Sequence, residues 1–168
     1  MGLVQVATET VTSAVASVTL TGIDSDDVYM VAFQNIAPST DNQAVRTRFT
    51  VSGTPDSSAN YDVAQKVLRA NTTFSNSSTT NGTKTSNFVV GGTGTQEVAN
   101  GIYYCYNFNN SSEYSFCTWE LTQRDSSGNL AGSQGGGVLT TAQATNGIQF
   151  YFESGNITSG TFTLYKVV

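Results

Sequence analysis

Cys105 and Cys117 are the chain's two thiols, and a thiol does chemistry only where a base, a metal or a second thiol stands beside it. No histidine occurs among the 168 residues, so the commonest general base and metal ligand is missing, and with it any Ser-His-Asp arrangement. Asp24, Asp26 and Asp27 gather three carboxylates within four positions. Oxygen ligands at alternating positions suit calcium, but the glycine and closing glutamate of an EF-hand loop are absent, so a turn with water-facing carboxylates is expected. Glu97, Glu113, Glu120 and Glu153 show no spacing that would fix two carboxyls about 5–10 Å apart, as glycoside hydrolysis requires. Gly91-Gly92-Thr93-Gly94 lacks the lysine and following helix of a phosphate loop and reads as a turn. These residues predict no catalytic group, no metal and no cofactor.

What must position such groups is a folded but weakly charged chain. Charged residues make up 11% of it, against about a quarter in an ordinary globular protein. Thr (25), Ser (19), Asn (14) and Gly (16) dominate, yet nine Phe, eight Tyr and one Trp at a net charge of -5 are too aromatic and too nearly neutral for a disordered linker. Seven Lys plus Arg residues, scattered singly, leave no basic footprint for nucleic acid. No run of about 18 apolar residues suggests a membrane span. Met1 to Val6 reads as neither a signal peptide nor a myristoylation start. Six N-x-Ser/Thr sequons, at Asn71, Asn76, Asn81, Asn109, Asn110 and Asn156, match by chance in such a composition and are expected to stay unmodified.

The dominant period along the chain is two. Val4, Val6 and Thr8 alternate with Gln5, Ala7 and Glu9; Val15–Thr21, Val28–Phe33 and Val45–Val51 follow as strand-like runs. Tyr61–Ala70 is read as a strand although its helix propensity is fair. Residues 71–87, nearly all Asn, Thr, Ser and Gly, are read as a long loop pinned by Phe74. Phe88-Val89-Val90 leads into the glycine turn. Glu97–Phe108 and Glu113–Gln123 are the strongest strands, Gly132–Gly137 is a place for a sharp bend, and the chain closes on an expected hairpin. In that hairpin Ile148, Phe150 and Phe152 are answered by Phe162 and Leu164 across Glu153–Asn156.

About 8–11 strands without a convincing helix predict an all-β, antiparallel two-sheet β-sandwich, because a strand that buries one face needs a second sheet to bury it against. Residues 1–14 form an N-terminal arm or edge strand, and residues 15–168 a single sandwich domain. If Cys105 lies opposite Cys117, Tyr106 faces Phe116, Phe108 faces Tyr114 and Tyr103 faces Trp119, with Asn110-Ser111-Ser112 as a three-residue loop. The cysteines are then neighbours, either as a disulfide or as two buried thiols. Tyr104, Tyr106 and Phe108 form a candidate aromatic contact surface: exposed, they would stack on sugars or a neighbouring subunit; otherwise they pack the sandwich. Leu3, Val4 and Val6 form a candidate assembly arm that adds a strand to a neighbour.

Four segments carry a family resemblance. Asn156–Tyr165 resembles the closing strand of a family of tailed-bacteriophage virion proteins common in marine phages. Val18–Ile23 is similar to its early strand, Phe33–Asp41 to the next strand and turn, and Cys117–Trp119 through Arg124–Ser126 to its central strand and turn. The resemblance covers the chain from about Val15 onward and rests on the order of the four motifs. It implies a jelly-roll-like sandwich, located in the virion, that decorates the capsid or belongs to a tail fibre. It also implies a non-enzymatic role, other virion proteins as partners, a homo-oligomer with a trimer favoured, and no nucleic acid or membrane. The alternative it allows is a fibre-tip module that binds a surface glycan or receptor.

Overall fold

The structure is a computed structural model; it describes residues 2–89 and 91–168, and for residues 86–89 the backbone alone. Met1 and Val90, both named above, lie outside the described residues. Thirteen strands follow one another without a helix among the described residues: β1 (Leu3–Val11), β2 (Ser17–Thr21), β3 (Tyr29–Pro38), β4 (Ala44–Val51), β5 (Thr54–Pro55), β6 (Tyr61–Arg69) and β7 (Ser75–Gly82), then β8 (Thr85–Val89), β9 (Ala99–Tyr106), β10 (Ser115–Arg124), β11 (Leu130–Leu139), β12 (Gly147–Phe152) and β13 (Ile157–Val167).

Eight of them nest as antiparallel pairs: β1 on β13, β2 on β12, β3 on β9 and β4 on β8. β13 also pairs with β3, and β12 with β4. The pairs therefore fall alternately into two sheets, β1-β13-β3-β9 and β2-β12-β4-β8. That nesting is the connectivity of a jelly roll, and the two-sheet all-β expectation holds. Two insertions enlarge one side only. β10 and β11 follow β9, and β6 and β7 leave from the β4–β5 end, so the first sheet grows to β1-β13-β3-β9-β10-β11-β6-β7.

Several local expectations are corrected. Residues 71–87 are not a loop: β7 pairs with β6 and β8 with β4. β7 is the outermost strand of the enlarged sheet and largely exposed on both faces, so it has no apolar alternation to reveal it. Phe74 pins nothing inward; it is exposed, with Lys66 Nζ 5.5 Å from its ring centroid. Gly132–Gly137 is no bend but the middle of β11, paired on both sides. The closing segments are not a hairpin either, because β12 and β13 belong to different sheets. The chain arches from one sheet to the other through Gly155, whose φ of 78° suits glycine. Alternation identified the inward residues but could not say on which sheet they stand.

Those inward residues make the core. Phe150, from the smaller sheet, lies 5.2 Å from Phe162, 5.6 Å from Tyr103 and 5.9 Å from Phe33, ring centre to ring centre. All three partners belong to the larger sheet. Tyr103 stacks in turn on Trp119, and a second cluster joins Phe49 to Phe108 and Tyr61. Several polar groups inside partner one another: Trp119 Nε1 donates to Ser133 Oγ at 2.8 Å, and Ser133 Oγ to Gln65 Oε1 at 3.0 Å. The Phe49 amide donates to the Tyr61 hydroxyl, which donates to the Asp56 carbonyl. Glycine is required where Trp119 crosses β11, since a Cβ on Gly135 would stand 2.6 Å from Trp119 Cζ2. At Gly136, on the opposite face, the nearest atom is the Cys117 carbonyl oxygen at 3.4 Å, an ordinary contact.

Two outcomes follow from this packing. Gly135→Ala is expected to cost about 1–3 kcal/mol in urea unfolding, whereas Gly136→Ala stays within about 0.5 kcal/mol; equal effects would mean that Trp119 does not press on β11. On the outer face of the smaller sheet, Glu153 takes Lys84 Nζ at 2.8 Å and Arg46 Nε at 2.6 Å. The Lys84 hydrogen bond, more than offsetting partial burial, and then Arg46 hold its carboxyl below the usual range. A depressed folded value means that this contribution is present at neutral pH and fades as pH falls from about 4.3 through the folded value. Glu153→Gln should flatten the acid limb of a Tm-against-pH profile and leave the alkaline limb in place.

Candidate functional site

The carboxylates singled out in the sequence take partners within the fold. Lys166 Nζ lies 2.7 Å from Asp27 Oδ2 and 4.0 Å from Asp24 Oδ1, and the Tyr29 hydroxyl donates to Asp24 Oδ1 at 2.7 Å. The Asp24–Asp27 turn thus fastens the C-terminal strand rather than presenting an open ligand set. Among the described residues no group of three or more Cys, Asp or Glu side chains is placed to hold a metal. The glycine turn at residues 91–94 wraps a carboxylate of its own chain: Glu97 Oε2 accepts the amides of Gly92 and Gly94, both at 3.1 Å. Backbone amides converging on an anion form the nest that a phosphate would otherwise need. Glu113 accepts from Asn107, and Glu120 from Gln134.

The cysteines lie opposite each other, Cys105 on β9 and Cys117 on β10, both buried and both free thiols. The register around them is the one the aromatic ladder predicts, with Tyr106 on Phe116 and Tyr103 on Trp119. Burial pushes the Cys117 thiol up to about 12, against hydrogen bonds from Thr85 and the Gly137 amide. Cys105 is raised as well, by burial and by its neighbour. Neither is poised as a nucleophile.

The ladder stops one pair earlier than expected. Asn107 and Asn109 both have φ of 58°, a left-handed conformation that breaks the alternation after Tyr106. The loop therefore runs from 107 to 114 rather than over three residues, and Phe108 turns inward, fully buried against Phe49. Phe108 does not belong to the aromatic surface. Tyr104 and Tyr106 do: they are half-buried on the outer face of the larger sheet, their rings stacked with centroids 6.4 Å apart and planes 25° from parallel. Exposed Phe116 stands opposite Tyr106. Leu3 and Val4 are exposed on β1, which pairs with β13 of its own sheet, while Val6 packs toward the core.

Strand register turns this outer face into ordered rows. One row crosses the sheet as Tyr104, Thr118, Gly136, Ala64 and Ser78. The next runs Ile102, Glu120, Gln134, Lys66 and Asn76. On the other side stand Tyr106, Phe116, Val138 and Asp62. The middle row is built from small side chains beyond Tyr104, so it lies lower than its neighbours and forms a trough across the strands. A hollow of about 570 Å³ opens between Tyr104, Tyr106, Thr118, Glu120 and Gln134. A second, of about 440 Å³, continues past Gln134 to Lys66, Asn76 and Ser78. An apolar corner of about 580 Å³ adjoins them at Leu68, Phe74, Leu130 and Thr122.

Of these groups the sequence singled out Tyr104 and Tyr106 as a surface and Glu120 only as an isolated carboxylate. Thr118 was within reach, since β10 alternates strictly. Gly136, Ala64 and Gln134 were not, because their role depends on which strands stand side by side. No protein-family model, curated protein or solved structure matches the chain.

With both thiols enclosed, a thiol reagent is expected to titrate none in the native protein at pH 8 and two per chain after denaturation without reductant. A value of zero in the denatured state would reveal a disulfide.

Proposed function

We propose that the chain is a non-enzymatic structural protein of a tailed-bacteriophage virion, self-associating and attached to the capsid as a decoration protein or to the tail. The observation that carries this reading is the nested jelly-roll pairing of eight strands, an architecture shared by viral capsid and lectin domains. It agrees with the fold that the four family-like segments imply. The apolar corner adds support for self-association. Leu130 and Phe74 are 58% and 57% exposed, beside Leu68 on the enlarged part of the sheet, and clustered exposed apolar side chains mark contact surfaces. β1 at one end and β7 at the other are edge strands, each with a row of backbone groups able to take a further strand.

A second reading, a receptor- or glycan-binding module at a fibre tip, is favoured by the Tyr104–Tyr106 pair beside Glu120 and Gln134. The two are separated by where the protein sits and what it holds.

Light scattering on the purified chain should give the mass of a closed oligomer, with three copies favoured, and Leu130→Asp should shift it to one copy while Tm is retained. A monomer at all accessible concentrations would remove self-association. Reconstruction of the particle should place the subunit on the shell or tail, and its absence from purified virions would overturn the reading.

A further inference from the structure

The trough on the outer face has the chemistry of a site for a neutral oligosaccharide. A pyranose is amphipathic: one face of C–H groups and a rim of hydroxyls. Tyr104 and Tyr106 offer rings on which such a face can stack, oriented by their mutual packing and by the contact of the Tyr106 hydroxyl with Thr118 Oγ1 at 3.3 Å. Rings carried on a paired strand bind with little loss of side-chain freedom. Hydroxyls need partners that both donate and accept. Gln134 Nε2 donates one hydrogen to Glu120 Oε1 at 2.8 Å, which orients two side chains that line the hollow and leaves the pair further donor and acceptor capacity for hydroxyls. A carboxylate accepting from hydroxyls makes charge-assisted bonds, the stronger kind.

The floor explains why an extended ligand fits. From β9 to β7 the low row passes Thr118, Gly136, Ala64 and Ser78. Four interstrand spacings make its length about 19 Å, long enough for several linked rings. Asn76 and Ser78 supply amide and hydroxyl groups at the far end. Charge selects among sugars. Glu120 faces the ring-stacking end, and the one cation in the polar row, Lys66, is drawn toward Phe74. A uronate or sialyl carboxylate stacked on Tyr104 would therefore meet a like charge. We propose that the trough binds a neutral oligosaccharide laid across β9, β10, β11, β6 and β7, with one ring on Tyr104 and Tyr106 and its hydroxyls on Glu120 and Gln134. The proposal rests on the glycan-binding reading above and names its ligand class and its site.

Gly136 gives a test that leaves the fold alone. A Cβ there stands on the trough face and meets nothing closer than 3.4 Å, and Tm reports whether the larger leucine is accommodated. The full-length chain is titrated calorimetrically with neutral tetrasaccharides (malto-, cello- and galacto-series) and with tetragalacturonate and sialyllactose as acidic probes. The expected result is binding of at least one neutral series. Affinity should fall about five- to tenfold in Tyr104→Ala, the order set by loss of one ring contact, and binding should vanish in Gly136→Leu at unchanged Tm. Binding of acidic sugars alone, or neutral binding that survives Gly136→Leu, would overturn this assignment and leave glycan recognition elsewhere on the chain standing. No binding by any probe would overturn the glycan reading itself.

Discussion

Phe150 is where the two sheets are held together. It comes from the smaller sheet and reaches Phe33, Tyr103 and Phe162 on three adjacent strands of the larger one. No backbone ladder joins the two layers, so the register of one layer on the other is set by side-chain shape and by a few side-chain hydrogen bonds such as that of the Tyr61 hydroxyl with the Phe49 amide. Rings meeting at tilted and edge-on angles set it more narrowly than aliphatic groups of similar size. The rest of the molecule is arranged around that contact. Trp119 extends the aromatic layer under the added strands, and Gly135 is bare because the indole lies on it.

The enlarged sheet follows from the same packing. The smaller sheet still covers the added strands through Phe49 and Thr85, but that cover thins outward: β10 alternates fully between buried and exposed, β6 loses burial toward its end, and β7 is largely open. The extension lengthens the core with Trp119, Leu121, Leu139 and Tyr61. It also provides a wide outer face on which side-chain height is set residue by residue. Glycines at 132 and 136 lower that face along β11, while Gln134 between them stands up from it. The trough is therefore made by omission, through small side chains flanked by Tyr104, Glu120 and Lys66.

Left-handed residues redirect the chain where periodicity would carry it on. Tyr104, Tyr106 and Phe108 have the spacing of one face, yet Asn107 reverses the last of them, and Phe108 becomes the core partner of Phe49. Asparagine tolerates that conformation better than most residues, but this sequence has so many asparagines that the decisive one is not recognisable by type. Composition hid β7 in the same way, for Ser, Thr and Asn serve loops and exposed strands alike.

The order of hydrophobic and polar residues determined that the chain is all-β and which face of β4, β10, β12 and β13 points inward, and it offered, as one attractive register, the pairing of Cys105 with Cys117 that the structure has. Those features are local: they need the pleat and one turn. Which sheet each strand joins, that Phe150 and Phe162 meet across the sandwich rather than within a hairpin, and that Tyr104, Thr118, Gly136 and Ala64 share one row were decided only by the tertiary structure. Alternation along a strand says up or down and nothing about neighbours. Neighbours are chosen by the simultaneous burial of all the inward side chains, a condition on the whole chain.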